Sequence, residues 1–102
     1  MSVSVITNKN FNEEVINSEK TVLLDFWASW CGPCRMLSPI VDEVAESRPD
    51  IKVGKVNVDE EPELASKFGI MSIPTLIVFK DGKIVNQAVG GRDYDGVMAL
   101  ID

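Results

Sequence analysis

The strongest constraint on the fold is a short run, residues 21–27, that is almost continuously apolar. A strand that is apolar at successive positions is typical of the centre of a sheet covered on both faces. Soon after it, apolar residues recur at the i, i+3, i+4, i+7, i+8 spacing of an amphipathic helix, namely Leu37, Ile40, Val41, Val44 and Ala45. These two patterns together predict a sheet with helices on both faces.

The rest of the chain continues this alternation of strand and helix patterns. Further strands are predicted at residues 3–6, 51–58, 75–80 and 83–89, and short helices at residues 10–18, 62–69 and 93–101. The long helix after the central strand should kink at Pro39 and end at Pro49. Asp81-Gly82 predicts a hairpin between the last two strands. We therefore expect one α/β domain over residues 1–102, with a mixed sheet of about five strands flanked by about four helices.

Composition excludes several classes of function. Sixteen acidic against ten basic residues give a net charge of -6, which disfavours nucleic acid and anionic membranes as partners. The chain has no histidine, which excludes imidazole bases, Ser-His-Asp triads and histidine metal sites. No signal peptide or membrane-length apolar run is visible, so we expect a cytoplasmic protein, with a processed organellar form as the alternative.

The two cysteines, Cys31 and Cys34, lie where the central strand gives way to the long helix. Thiolates are the reactive form of cysteine, and a helix N-terminus lowers the thiol pKa. Cys31 is therefore the expected nucleophile, and Cys34, a turn further along, the expected resolving thiol. Gly32 permits close approach of another chain, and Pro33 presets a helical backbone.

Three other roles for this cysteine pair remain open from the residues alone. A structural disulfide would close a four-residue loop and stabilise the fold by only about 2 kcal/mol, against about 4.7 kcal/mol for a 100-residue loop. A zinc site needs four ligands, which only a dimer of this chain could supply as cysteines. The cysteines could also be inert core residues. The flanking Trp, Gly and Pro argue against that last role, and redox chemistry is the favoured interpretation of the pair.

The segment Trp30-Cys31-Gly32-Pro33-Cys34 resembles the active-site signature of the thioredoxin family. Similar segments follow in the family's order over nearly the whole chain, at residues 25–28, 39, 55–59, 73–75, 79–82 and 89–90. The resemblance implies the thioredoxin fold and a general protein dithiol–disulfide oxidoreductase. It also implies that such an enzyme reduces disulfides in target proteins through a mixed disulfide.

Asp25 interrupts the apolar strand and has two possible roles. It is either an exposed carboxylate at a strand end or a buried carboxyl whose raised pKa allows proton transfer near neutral pH. The family resemblance implies the second role, in which Asp25 deprotonates Cys34 through water. It also implies that Lys55, otherwise a solvated strand residue, is a charge partner of Asp25.

The resemblance further implies a surface for binding target proteins. Pro74 could simply begin a strand, but the matching family position has a cis peptide bond that exposes the backbone of Ile73 for pairing with a substrate chain. The implied surface is flat and weakly apolar, and it consists of Trp30, Gly32, Pro33, Ile73, Pro74 and Gly90. Met71-Ser72 replace a basic residue and a glycine found in many thioredoxins, so partner choice should differ.

The expected electron path needs no bound cofactor and no metal, because the Cys31–Cys34 pair is itself the carrier. Electrons would come from NADPH through a thioredoxin reductase, and we expect the chain to act as a monomer. One alternative is an oxidase or isomerase of the same superfamily. Those proteins often carry a histidine between the cysteines, which this chain lacks. The other alternative is a binding module whose redox activity is incidental.

Overall fold

Five strands and four helices alternate along residues 3–102, the part of the chain that this computed structural model describes. The strands are β1 (Val3–Val5), β2 (Val22–Trp27), β3 (Lys52–Asn57), β4 (Thr75–Lys80) and β5 (Lys83–Val89). The helices, numbered together, are α1 (Asn12–Ile16, a short π-helix), α2 (Gly32–Ser47), α3 (Pro62–Lys67) and α4 (Tyr94–Ile101). The predicted order of elements is confirmed.

The strands form one mixed sheet in the order β1-β3-β2-β4-β5. β3 runs parallel to both β1 and β2, while β4 is antiparallel to β2 and to β5. β2 therefore has hydrogen-bonded neighbours on both edges, as its apolar run predicts. Its register places Asp25 between Lys55 on β3 and Leu76 on β4.

The two faces of the sheet bury separate apolar cores. On β2, Val22, Leu24 and Phe26 face the core that includes Phe11 near α1 and Leu64 of α3. Leu23 faces the other core, to which α2 contributes Leu37, Val41, Val44 and Ala45 and α4 contributes Val97. Successive strand residues alternate between faces, so Asp25 lies on the same side as Leu23, under α2.

α2 contains Pro39, which cannot donate a backbone hydrogen bond, and ends at Ser47, just before Pro49. One local feature differs from the sequence expectation. The predicted cap at Asn10 is wrong, because its side chain turns away from α1. It accepts a hydrogen bond from the N–H of Thr7 and donates one to the carbonyl of Val5.

Within residues 3–102, every helix is too short or too polar to cross a lipid bilayer.

Gly54 on β3 packs closely against Ile6 and Leu24, which leads to a prediction about stability. A Cβ at this position would lie 2.5 Å from Cγ1 of Ile6 and 3.0 Å from Cδ2 of Leu24, both fully buried side chains. Gly54→Ala should therefore lower the free energy of unfolding by about 1–3 kcal/mol, as measured by urea denaturation. Gly91→Ala, where an added Cβ meets nothing within 4 Å, is the matched control. Equal stability of the two variants would contradict the prediction.

Candidate active site

The cysteine pair lies at the junction of β2 and α2. Cys31 is the N-cap of α2, with an extended backbone, and its sulfur accepts a hydrogen bond from the backbone N–H of Cys34 at 3.2 Å. The two residues form a disulfide, with their Cα atoms 5.2 Å apart. Because the first N–H groups of a helix have no intrahelical acceptor, they would stabilise a thiolate on Cys31 once the disulfide is reduced.

Both cysteines are buried in a small apolar cluster with Ala28, against which Trp27, Val58 and Ile73 pack. The Sγ atom of Cys31 lies 3.7 Å from the carbonyl oxygen of Ile73. A disulfide sulfur carries no hydrogen, so this approach is a contact in the oxidised form and a possible thiol hydrogen bond in the reduced form. Burial is similar for the two cysteines, so their place on the helix, not their exposure, distinguishes them.

Asp25 is buried beneath this junction, with 1% of its surface exposed. Its Oδ1 atom is buried and has no hydrogen-bond partner among the described residues. Desolvation by burial raises the pKa of Asp25 to about 6, nearby Lys55 opposes that rise, and Asp42 adds to it. The carboxyl borders a cavity of about 100 Å³, whose lining is Asp25, Trp27, Cys34, Arg35 and Ser38. Asp25 and Cys34 thus share one cavity.

Lys55 lies directly across from Asp25 on β3, but its ammonium group turns to α2. The Nζ atom donates to Oγ of Ser38 at 2.6 Å and pairs with Oδ1 of Asp42 at 2.9 Å. Among the described ion pairs, none joins Lys55 to Asp25. The lysine therefore affects Asp25 through space and not through a direct bond.

The residues expected to bind target proteins surround the disulfide. Trp30 is 68% exposed, and its Nε1 donates to Oδ2 of Asp59 at 2.9 Å. The Ile73–Pro74 peptide bond is cis, the geometry that the family resemblance implies. The carbonyl of Pro74 accepts a hydrogen bond from the N–H of Gly90 at 2.8 Å, so these two loops are tied together. Gly90 adopts a positive φ of 98°, a conformation that favours glycine.

Exposure varies within this set of residues. Trp30 and Pro33 are exposed, whereas Pro74 is buried. The other three residues of the set are half-buried: Gly32, Ile73 and Gly90. Met71, beside the same loop, is 95% exposed.

Comparison with known proteins identifies the family. The family model described as Thioredoxin matches residues 2–102. A thioredoxin of Pyropia yezoensis is 55% identical over 91 residues, covering 88% of this chain and 85% of the relative. Thioredoxin 1 of Synechococcus elongatus is 55% identical over 92 residues, covering 88% and 86% of the two chains. A thioredoxin of Alicyclobacillus acidocaldarius is 56% identical over 97 residues, covering 94% and 91%. The chain belongs to the thioredoxin family.

Membership of the thioredoxin family confirms the predicted fold and the general activity. The chain is a dithiol–disulfide oxidoreductase of the protein-disulfide reductase type, with a redox-active disulfide at Cys31 and Cys34. Thioredoxins need no bound cofactor. The described residues also contain no cluster of three or more potential metal ligands.

Three polar residues at this thioredoxin site, Ser38, Asp42 and Asp59, are not predicted by any pattern in the sequence. Ser38 and Asp42 are one helical turn apart on α2, immediately after the buried residues Leu37 and Val41. That spacing places them on one side of the helix, but their partner Lys55 lies on β3, which is distant in the sequence. Asp59 is 29 residues from Trp30 along the chain, and no local pattern links them.

The raised pKa of Asp25 predicts how stability depends on pH. Asp25 has a folded-state pKa of about 6 against an ordinary value of 3.8, so the folded state binds its proton more tightly. The associated stability is fully present below pH 3.8 and is lost as the pH rises through about 6. Asp25→Asn removes this loss and should be more stable than the parent at pH 7 by up to about 3 kcal/mol.

Urea denaturation of the oxidised proteins between pH 3 and 8 measures this difference. The advantage of Asp25→Asn should shrink towards zero below pH 4. A difference that stays constant over the whole range would show that Asp25 does not titrate as the burial of its carboxyl requires.

Proposed function

We propose that the chain reduces disulfides in target proteins, with Cys31 as the nucleophile and Cys34 as the resolving thiol. The observation that carries the assignment is the position of the Cys31 sulfur at the N-cap of α2, where it accepts the N–H of Cys34. A helix N-terminus favours the thiolate, which is the attacking species. Cys34, inside the first turn, has no comparable N-cap position.

The reaction proceeds in two exchanges. The Cys31 thiolate attacks one sulfur of the target disulfide, forming a mixed disulfide and releasing the other target sulfur as a thiolate that takes up a proton. Cys34 then loses its proton and attacks the sulfur of Cys31, which releases the second target thiolate. Two electrons pass from the dithiol to the target, and the Cys31–Cys34 disulfide is formed.

Asp25 is proposed to take the proton from Cys34 in the second exchange. A pKa of about 6 lets its carboxylate accept a proton near neutral pH and give it up again. The shared cavity of about 100 Å³ is large enough for water between the two groups, because a water molecule takes roughly 30 Å³ in the liquid. The lack of a hydrogen-bond partner at Oδ1 leaves this oxygen available to such a water.

Targets are proposed to dock on the surface around Trp30, Pro33 and the loop from Ile73 to Pro74. The hydrogen bond from Trp30 to Asp59 fixes the indole ring while leaving most of it exposed. The contact between the Cys31 sulfur and the Ile73 carbonyl supports a path in which a target backbone runs beside Ile73 and its disulfide reaches Cys31. Trp27 is half-buried and packs against the cysteines, so we assign it to the core.

The family suggests two kinds of partner: proteins that contain disulfides, and a reductase. We propose that the reductase is a flavin-containing thioredoxin reductase that draws electrons from NADPH. We further propose that residues 1–102 act as one domain and as a monomer, since one cysteine pair holds both electrons. A cytoplasmic setting suits this role because a reducing compartment keeps the dithiol charged.

Trapping the mixed disulfide tests the two cysteine roles. Cys34→Ser should accumulate a covalent complex with a disulfide-bonded protein such as insulin, visible on a non-reducing gel and released by dithiothreitol. Cys31→Ser should trap little, because Cys34 is not at the helix N-cap. Stronger trapping by Cys31→Ser would reverse the two roles, and no trapping by either variant would exclude a mixed disulfide. If a variant with both Cys31→Ser and Cys34→Ser still binds its targets and keeps its biological function, the chain would be a binding module instead.

The rate of the second exchange tests Asp25. At pH 7, Asp25→Asn should slow release of the target from the mixed disulfide by roughly 10- to 100-fold, at or below the usual contribution of a general base, since solvent can also take the proton. The difference in release rate between Asp25→Asn and the parent should narrow below pH 6, where the parent carboxyl is protonated. Stopped-flow fluorescence can separate this step from attack by Cys31, which should keep its rate. An unchanged release rate at pH 7 would remove Asp25 from the mechanism.

A further inference from the structure

We propose that Ser38 and Asp42 are positioning residues that hold the ammonium group of Lys55 away from Asp25, which keeps the Asp25 carboxyl free to exchange a proton. The inference rests on the proposed role of Asp25. It assigns a task to two residues of α2 that do not touch the reacting sulfur atoms.

The contacts of Lys55 define this arrangement. Its Nζ atom lies 2.6 Å from Oγ of Ser38 and 2.9 Å from Oδ1 of Asp42. The lysine side chain is 17% exposed, whereas the Asp42 side chain is 55% exposed, so the ammonium is directed towards the solvent side of α2. Two acceptors one helical turn apart give this long side chain one preferred position.

The backbone alone favours a different partner for Lys55. Asp25 and Lys55 are directly opposed on adjacent parallel strands and lie on the same face of the sheet. Opposite charges at such positions commonly pair. Oδ1 of Asp25 nevertheless has no partner among the described residues, while Lys55 bonds to α2 instead. The two α2 residues therefore compete successfully with the buried carboxyl for the ammonium group.

This competition matters for proton transfer. An ammonium within about 4–6 Å of a carboxyl typically lowers its pKa by 1–3 units. Lys55 already opposes the effect of burial from its present position, and a direct Lys55–Asp25 pair would oppose it more strongly. Asp25 would then become too weak a base to take a proton from a thiol near neutral pH. Ser38 also lines the cavity shared by Asp25 and Cys34, so the residue that binds Lys55 lies beside the proposed path of the proton.

Other groups around Asp25 do not provide the same control. The charged or titratable side chains near it come from two elements: Lys55 from β3, and Cys34, Arg35 and Asp42 from α2. β4 contributes Leu76, which carries no charge. Arg35 donates to the carbonyl of Ser29 at 3.0 Å, which keeps one end of its guanidinium at the loop before α2. Lys55 is thus the cation whose position the serine and aspartate determine.

Ser38→Ala tests the proposal most directly, because it removes an acceptor without changing any charge, and alanine suits a helix. The measurement is the pH titration of the Asp25 side-chain carboxyl by carbon NMR in the oxidised protein, in which neither cysteine titrates. The titration midpoint should fall by about one pH unit as Lys55 moves towards Asp25. Ser38→Thr keeps the hydroxyl and should titrate like the parent.

The same substitution in a Lys55→Met background shows whether the effect passes through the lysine. There, Ser38→Ala should leave the midpoint of Asp25 unchanged. Asp42→Asn is the second variant. It should lower the midpoint more in the presence of Lys55 than in its absence, because only the first case includes movement of the lysine.

An unchanged or raised midpoint in Ser38→Ala would overturn the proposal, since it would mean that Ser38 does not keep the ammonium from the carboxyl. An equal fall with and without Lys55 would overturn it too. These results leave the proposed function intact as long as Asp25→Asn still slows target release. Failure of that variant to slow release would instead reject Asp25 as the base, whatever the titrations show.

Discussion

The enclosure of β2 on both edges and both faces is the constraint on which the site depends. β3 and β4 take up its backbone hydrogen bonds, and separate cores cover its two faces. The end of this strand is therefore a fixed point in the molecule, and α2 begins five residues beyond Trp27. Cys31 lies in that short connection and Cys34 in the first turn of α2, so the buried strand β2 fixes the position of the reactive sulfur atoms.

The same enclosure makes the ionised form of Asp25 destabilising and raises the pKa of its carboxyl towards neutral pH. A carboxyl with 1% exposure and an unpartnered oxygen is destabilising when ionised, because it has lost its hydration without gaining a full set of hydrogen bonds. That cost is the physical origin of its raised pKa. The fold therefore gives up stability at neutral pH at a position in β2 that borders the cavity beside Cys34.

Patterns that depend on neighbouring residues predicted most of the fold and the centre of the site. The apolar run of β2, the helical spacing in α2 and the Asp81-Gly82 hairpin each contain their structural cause within a few residues. The partner of Lys55 could not be predicted in this way. Strand register places Lys55 beside Asp25, yet Lys55 bonds to Ser38, 17 residues away in the sequence. The rotamer of Lys55 and the position of α2 decide between the two acceptors. The predicted cap at Asn10 was wrong for a related reason, since the Asn10 side chain bonds to Thr7 and Val5, which precede it, and not to α1.

The chain has no histidine, so the titratable groups at this site are carboxyls, thiols and basic side chains without an imidazole. Imidazole titrates near neutral pH without help, whereas a carboxyl has an ordinary pKa near 4 and a thiol one near 8.5. Burial in β2 raises the pKa of Asp25, and the Cys34 N–H at the start of α2 bonds to the Cys31 sulfur, where it would stabilise a thiolate in the reduced form. Both effects arise at the same strand–helix junction.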